Sequence, residues 1–181
     1  MSIPRENDSS GPARQRRVFL QIAEQCCGKL FGGYGYALRP AAGAELASGS
    51  PLLLYGVIGF VATGLRGSLV LGSSSEPLDS SNPAKAVPVR EWIAELSNQL
   101  IGRIKNQLLL YALELRVDTP VTLRDSPMSD ARTRGLPSVS LQGRAGLVRV
   151  WMDLQIGRGF HMADEPDASR AGPQESQTII L

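Results

Sequence analysis

At 181 residues the chain is long enough for one well-buried domain and too short for two comfortable ones. Nineteen Lys and Arg residues are scattered among seventeen Asp and Glu, a net charge of +2, which excludes the basic footprint of a nucleic-acid or anionic-membrane binder. No signal-peptide pattern and no stretch near the roughly 20 apolar residues of a membrane span occur, so a soluble, cytoplasmic protein without membrane insertion is expected.

Residues 1–16 are polar, carry Pro4 and Pro12 and lack periodicity, which predicts a disordered arm; Arg14, Arg16 and Arg17 read as the solvated start of the first helix. From about Val18 to Phe31, Phe19, Ile22, Ala23, Cys26 and Leu30 form one helical stripe, stopped by Gly32 and Gly33. Adjacent helical cysteines point about 100° apart and do not readily bridge, so Cys26 and Cys27 read as small core residues in a reducing compartment. The glycines of LFGGYGYAL superficially suggest a phosphate-binding loop, but the helix precedes them and no Gly-Lys-Ser/Thr follows; a helix end and turn is the better account.

Tyr36–Arg39, Leu52–Val61 and Gly67–Leu71 read as strands, the last two forming a hairpin around Thr63–Arg66. Gly72–Pro88, rich in serine and proline, is expected to be a loop or at most one helical turn. A long amphipathic helix follows over about Val89–Leu113. Then Leu115, Val117, Thr119, Val121 and Leu123 alternate with polar residues as a half-buried strand, which Pro120 places at an edge or splits in two. A polar loop, Asp125–Gly135, leads to Val139–Leu141. The strongest strand has Val148, Val150, Met152, Leu154 and Ile156 on one face and Arg149, Trp151, Asp153 and Gln155 on the other. The tail Ala163–Thr178 is polar, with Ile179, Ile180 and Leu181 at its end. The expected organisation is a disordered arm over 1–16, one domain over 17–162 and a flexible tail over 163–181. The order of elements predicts an α+β fold, a mostly antiparallel sheet of about six strands with two long helices packed on it.

The chemistry lies in the long helix. Spacings of four, three and four residues place Glu91, Glu95, Asn98 and Gly102 on one narrow arc, opposite the apolar Ile93, Leu96, Leu100, Ile104 and Leu108. Gly102 costs a helix interior about 1 kcal/mol relative to alanine, which suggests that something approaches the backbone there. Trp92, near the edge of that arc, is expected in the core, beneath the glutamates or against a partner, with the core preferred.

Glu95-Leu-Ser-Asn98 and Pro120 in VDTPVTL resemble the signature of the CheC/CheX/FliY family of chemotaxis phosphatases: an Asp or Ser, three residues, Glu, two residues, Asn, and a proline some twenty residues on. The resemblance covers most of residues 18–160 and, with a single Glu-x-x-Asn, is nearest the single-site CheX branch. It departs where Glu91 stands at the Asp or Ser position, in a proline spacing about one residue off, and at Gly72–Pro88, where relatives often carry another short helix. The resemblance implies a phosphatase acting on the aspartyl-phosphate of a CheY-like response-regulator receiver, with no cofactor of its own and with the Mg²⁺ belonging to the receiver. It also implies a homodimer, with sheets joined across the subunits.

Acyl-phosphate hydrolysis has a good leaving group, so a helper contributes chiefly by placing water in line with phosphorus. An uncharged amide suits this, accepting from water and donating to a phosphoryl oxygen without repelling the anion, which is the role expected of Asn98. Glu95, one turn away, is expected to pair with the receiver's active-site lysine and set the register. Glu91 is a further partner contact or simply an acid favourable in a first helical turn. A non-catalytic adaptor using the same face, for a receiver or a flagellar-switch partner, is the competing expectation. His161, the only histidine, has no sequence neighbours for a metal cluster or a Ser-His-Asp arrangement and reads as a surface loop residue.

Overall fold

The computed structural model describes residues 11–41, 52–85, 87–124 and 135–171. The expected arm before residue 11, most of the loop Asp125–Gly135 and the apolar end Ile179–Leu181 lie outside the described residues. Helix α1 spans Pro12–Gly33, α2 Ser75–Ser81 and α3 Val89–Leu109. The strands are β1 Arg39–Pro40, β2 Leu54–Ala62, β3 Leu65–Ser73, β4 Arg116–Val117, β5 Val121–Arg124, β6 Ser138–Gln142 and β7 Leu147–Ile156.

All pairings in the sheet are antiparallel, in the order β1-β6-β7-β3-β2, with β4 and β5 both beside β2. On one face, α1 lies over β6 and β7, while α3 crosses β2 and β5 and packs along α1. Seven strands appear where about six were expected because one predicted strand is two. Phe60 pairs with Val117 and Val57 with Val121, so three residues, 118–120, lie between the two pairs on this segment and two, 58 and 59, on β2. The extra residue in the Pro120 segment is a bulge, and because side chains alternate with period two it reverses the faces beyond it. Leu115 is therefore buried as expected, whereas Val121, expected on the same face, is 58% exposed.

Several boundaries also move. The first helix starts at Pro12, inside the expected arm, because proline at the first helical position gives up only an N–H that has no intrahelical partner. It runs on through Gly32 and Gly33, and Gly35, at φ +76°, supplies the left-handed turn that reverses the chain. The strand expected at Tyr36–Arg39 shrinks to Arg39–Pro40, since Tyr36 turns inward to hydrogen-bond Glu76. Gly72–Pro88, expected to hold at most one turn of helix, carries the seven-residue α2 and a 3₁₀ turn at Pro83–Lys85. The long helix stops at Leu109, short of Leu113, where Ala112 adopts φ +59° and Leu113 N–H bonds back to Leu108 O at 3.1 Å. Residues 163–171, placed in the flexible tail by sequence, lie against the domain: Ala163 N–H bonds Tyr111 O at 2.9 Å and Arg14 pairs with Asp164 at 2.6 Å.

The core is the layer between sheet and helices. Phe19, Leu30 and Phe31 of α1 meet Ile93, Leu96, Leu100 and Ile104 of α3 over Ile58, Leu69, Val150 and Met152, all fully buried. Each such side chain contributes about 1.5–3 kcal/mol relative to an exposed one. Cys26 and Cys27 are both free and buried in this layer. Burial pushes the Cys26 thiol up to about 11 and the Cys27 thiol higher still, so neither is a ready thiolate.

Candidate functional site

The inner side of α3 fixes what its outer side can present. Ile93, Leu96, Leu100, Ile104 and Leu108 are all fully buried, as their spacing predicts. Ser97 is buried on the sheet side of the helix, its hydroxyl donating to Ile93 O at 2.7 Å. Across from it is Gly56 of β2, where an added Cβ would stand 2.0 Å from Ser97 Oγ. A small residue on each element lets the helix backbone sit down on the strand.

The start of α3 is clamped from three directions. Asn82 Nδ2 donates to Val87 O at 2.7 Å and holds the approach to the helix. Thr122 of β5 donates to Arg90 O at 3.3 Å. Trp92, 3% exposed, donates its indole N–H to Ser81 Oγ at 3.1 Å, which ties α3 to α2. Trp92 is thus a core residue, in line with the preferred expectation. In turn, α2 is anchored by Glu76, which accepts from the Tyr36 hydroxyl, from Ser80 Oγ at 3.1 Å and from Arg144 at 3.2 Å.

With the helix seated this way, Glu91, Glu95 and Asn98 are exposed on its outward side. Glu91 lies in the first turn, where its charge complements the unpaired helix N–H groups. Gly102 is half-buried, and no atom of the protein lies within 4 Å of where a Cβ would sit. The close approach suggested by that glycine is therefore not made by the protein's own described residues. On this arc stand a carboxylate acceptor and, three residues on, an amide that both donates and accepts, on a surface flattened by Gly102.

Two participants in this arrangement were not singled out from sequence. Gln99 donates from Nε2 to Glu95 Oε1 at 2.7 Å, and its Oε1 accepts from the Tyr34 hydroxyl at 2.9 Å. The four-residue spacing of Gln99 from Glu95 is a legible signal. Tyr34 arrives from the turn after α1, and nothing in its local pattern announces it.

His161 is exposed, as expected, and lines a pocket of about 560 Å³ with Thr63, Glu114 and Arg116 at the far end of α3. Among the described residues, no three His, Cys, Asp or Glu side chains cluster as metal ligands would, and no helix is long and apolar enough to cross a membrane.

This architecture is that of the CheX and CheC-like chemotaxis proteins. The chain superimposes on CheX of Vibrio vulnificus with a TM-score of 0.63 at 16% identity, covering 77% of this chain and 97% of that one. A CheC-like superfamily protein from Shewanella sp. PV-4 gives a TM-score of 0.58 at 16% identity, over 75% of this chain and 97% of that one. CheX of Borrelia burgdorferi, in a complex with CheY, BeF₃ and Mg²⁺, gives 0.51 at 12% identity, over 77% of this chain and 96% of that one. No family model matches the sequence, nor does any curated protein.

Proposed function

We propose that this protein is a phosphatase for the aspartyl-phosphate of a CheY-like receiver domain, acting through the outward face of α3. The observation that carries the reading is the exposure of Glu95 and Asn98 together, three residues apart on a helix whose other side is locked into the core. The shared fold supports it, as does the existence of a CheX of that fold in a complex with CheY.

In this reading α3 slides over the receiver's active site. Glu95 pairs with a cationic side chain there and sets the register. Asn98 accepts a hydrogen bond from water through Oδ1 and donates through Nδ2 to a phosphoryl oxygen, holding the water in line with phosphorus. Water adds to phosphorus as the P–O bond to the aspartyl carboxylate breaks, and the electron pair leaves with that carboxylate; the proton lost by water passes to solvent or to phosphate. The receiver's Mg²⁺ belongs to the substrate and neutralises charge on the phosphoryl group, so the protein needs no cofactor of its own. Glu91 and Gly102 complete the contact surface, Gly102 by leaving the helix backbone open to a close neighbour. A homodimer is part of the reading, and sedimentation of the purified protein tests it.

The alternative is an adaptor that binds a receiver or flagellar-switch partner through the same face without chemistry. It has support in the same exposure of the arc, which serves docking as well as catalysis. Asn98→Ala separates the two: an adaptor keeps its affinity and has no rate to lose, whereas the phosphatase keeps its affinity within a few-fold and loses about 100-fold or more in phosphate release.

A further inference from the structure

Behind the outer face of α3 runs a connected set of side chains from three parts of the fold. Ser81, at the end of α2, accepts from Trp92 Nε1 at 3.1 Å. The Trp92 ring meets Tyr34 edge-on, with centroids 4.9 Å apart and planes at 84°. Tyr34 OH donates to Gln99 Oε1 at 2.9 Å, and Gln99 Nε2 donates to Glu95 Oε1 at 2.7 Å.

The direction of the hydrogen bonds from Tyr34 to Glu95 is fixed at the carboxylate end. An ionised carboxylate only accepts, so Gln99 must turn its N–H toward Glu95 and its oxygen toward Tyr34. The tyrosine hydroxyl then donates, and its half-buried ring is braced on one side by Trp92, which is itself buried and bonded to Ser81. Of the Glu95 carboxylate only Oε1 is engaged among the described residues, while the side chain is exposed. The second oxygen is left for an incoming donor.

We infer that Tyr34 and Gln99 are positioning residues that hold the Glu95 carboxylate in one outward rotamer, ready to receive a cationic side chain of the receiver. This rests on the reading of Glu95 as a docking residue. An unrestrained glutamate must be ordered when it docks, and ordering one rotamer-rich side chain corresponds to about fivefold in affinity. The relay meets part of that cost in the free protein, about twofold for an exposed hydrogen bond one helical turn away, supported by a tyrosine remote in sequence.

The test is a double-mutant cycle on the full chain. The dissociation constants of wild type, Tyr34→Phe, Gln99→Met, Glu95→Ala and each of the first two variants combined with Glu95→Ala are measured against beryllofluoride-loaded receiver domains from the same cell, taken one by one. Phosphate release from the phosphorylated receivers is followed in parallel. Tyr34→Phe removes one hydroxyl and leaves the ring packing intact, and Gln99→Met removes the amide with little change of volume, so two independent variants break the relay without breaking the fold.

The expected result is an affinity about twofold weaker for Gln99→Met and weaker by up to the same factor for Tyr34→Phe, a penalty that disappears when Glu95 is already alanine, and phosphate release at saturating receiver unchanged. Receivers that bind wild type and Tyr34→Phe equally, or a penalty that persists without Glu95, overturn the relay and leave the proposed function untouched. Coupled affinities without any phosphate release keep the relay and replace the phosphatase by the adaptor. If no receiver binds at all, the proposed function and the relay fall together.

Discussion

The two sides of α3 do opposite work. Its inner side, from Ile93 to Leu108, is dry and held at fixed distance from β2 by Ser97 and Gly56, whereas its outer side carries Glu91, Glu95 and Asn98 in solvent. The inner residues give up freedom to make one rigid element, and the outer residues inherit that rigidity without being packed themselves. Stability and function should therefore separate cleanly between residues only one or two positions apart.

The largest loss is expected from Leu100→Ala, which empties a fully buried site and should cost about 2–5 kcal/mol in urea denaturation. Next is Gly56→Ala, whose new Cβ would meet Ser97 Oγ at 2.0 Å and Ile93 O at 3.1 Å. Lifting α3 off the strand should cost about 1–3 kcal/mol, and an unchanged denaturation midpoint would show that the small-residue contact does not seat the helix.

A smaller effect concerns α2, which steadies the start of α3. Burial alone would raise the Glu76 carboxyl, but hydrogen bonds from Tyr36, Arg144 and Ser80 outweigh it and hold the group below its ordinary value. A depressed carboxyl favours the fold above its unfolded value near 4.5, and this contribution is lost as pH falls through the folded value. Tyr36 goes the other way, pushed up to about 12 first by burial and then by its bond to Glu76. Its contribution is present below 10 and fades as pH rises toward 12. Urea midpoints measured against pH should fall at both ends, and Glu76→Gln should flatten the acid limb; an acid limb identical to that of wild type would remove Glu76 from the clamp.

The outer side should respond with the opposite sign or not at all. Gly102→Ala, with nothing within 4 Å of its Cβ, should stabilise the helix by up to about 1 kcal/mol while weakening receiver binding. Glu95→Ala should change the unfolding free energy by no more than about 0.5 kcal/mol, since it removes an exposed contact only. A large destabilisation by Glu95→Ala would mean that the carboxylate belongs to the scaffold.

Much of this contrast is legible in the sequence, because period-3.6 patterning reports which side of a long helix is dry and which is wet. The alternation of β7 is equally plain, and α+β with an antiparallel sheet follows from the order of such segments. The features that escape depend on the partner across the gap. The extra residue near Pro120 inverts the faces of β5, and only its pairing with β2 reveals this. Likewise α2 is short and serine-rich, with little helical signal, and is held by Tyr36 and Arg144 from distant segments. The Glu-x-x-Asn pair could be picked out because both residues lie in one helix. Tyr34, which completes the network behind Glu95, lies in a different segment, 65 residues from the Gln99 it contacts.

The most direct test takes each phosphorylated receiver from the same cell and follows loss of phosphate with no addition, with the protein, and with Asn98→Ala, whose melting temperature is recorded alongside. The expected result is acceleration of at least one receiver, about 100-fold or more of it lost in Asn98→Ala, and a melting temperature that stays within about 2 °C of wild type. Acceleration that survives unchanged in Asn98→Ala, or no acceleration of any receiver, would contradict it.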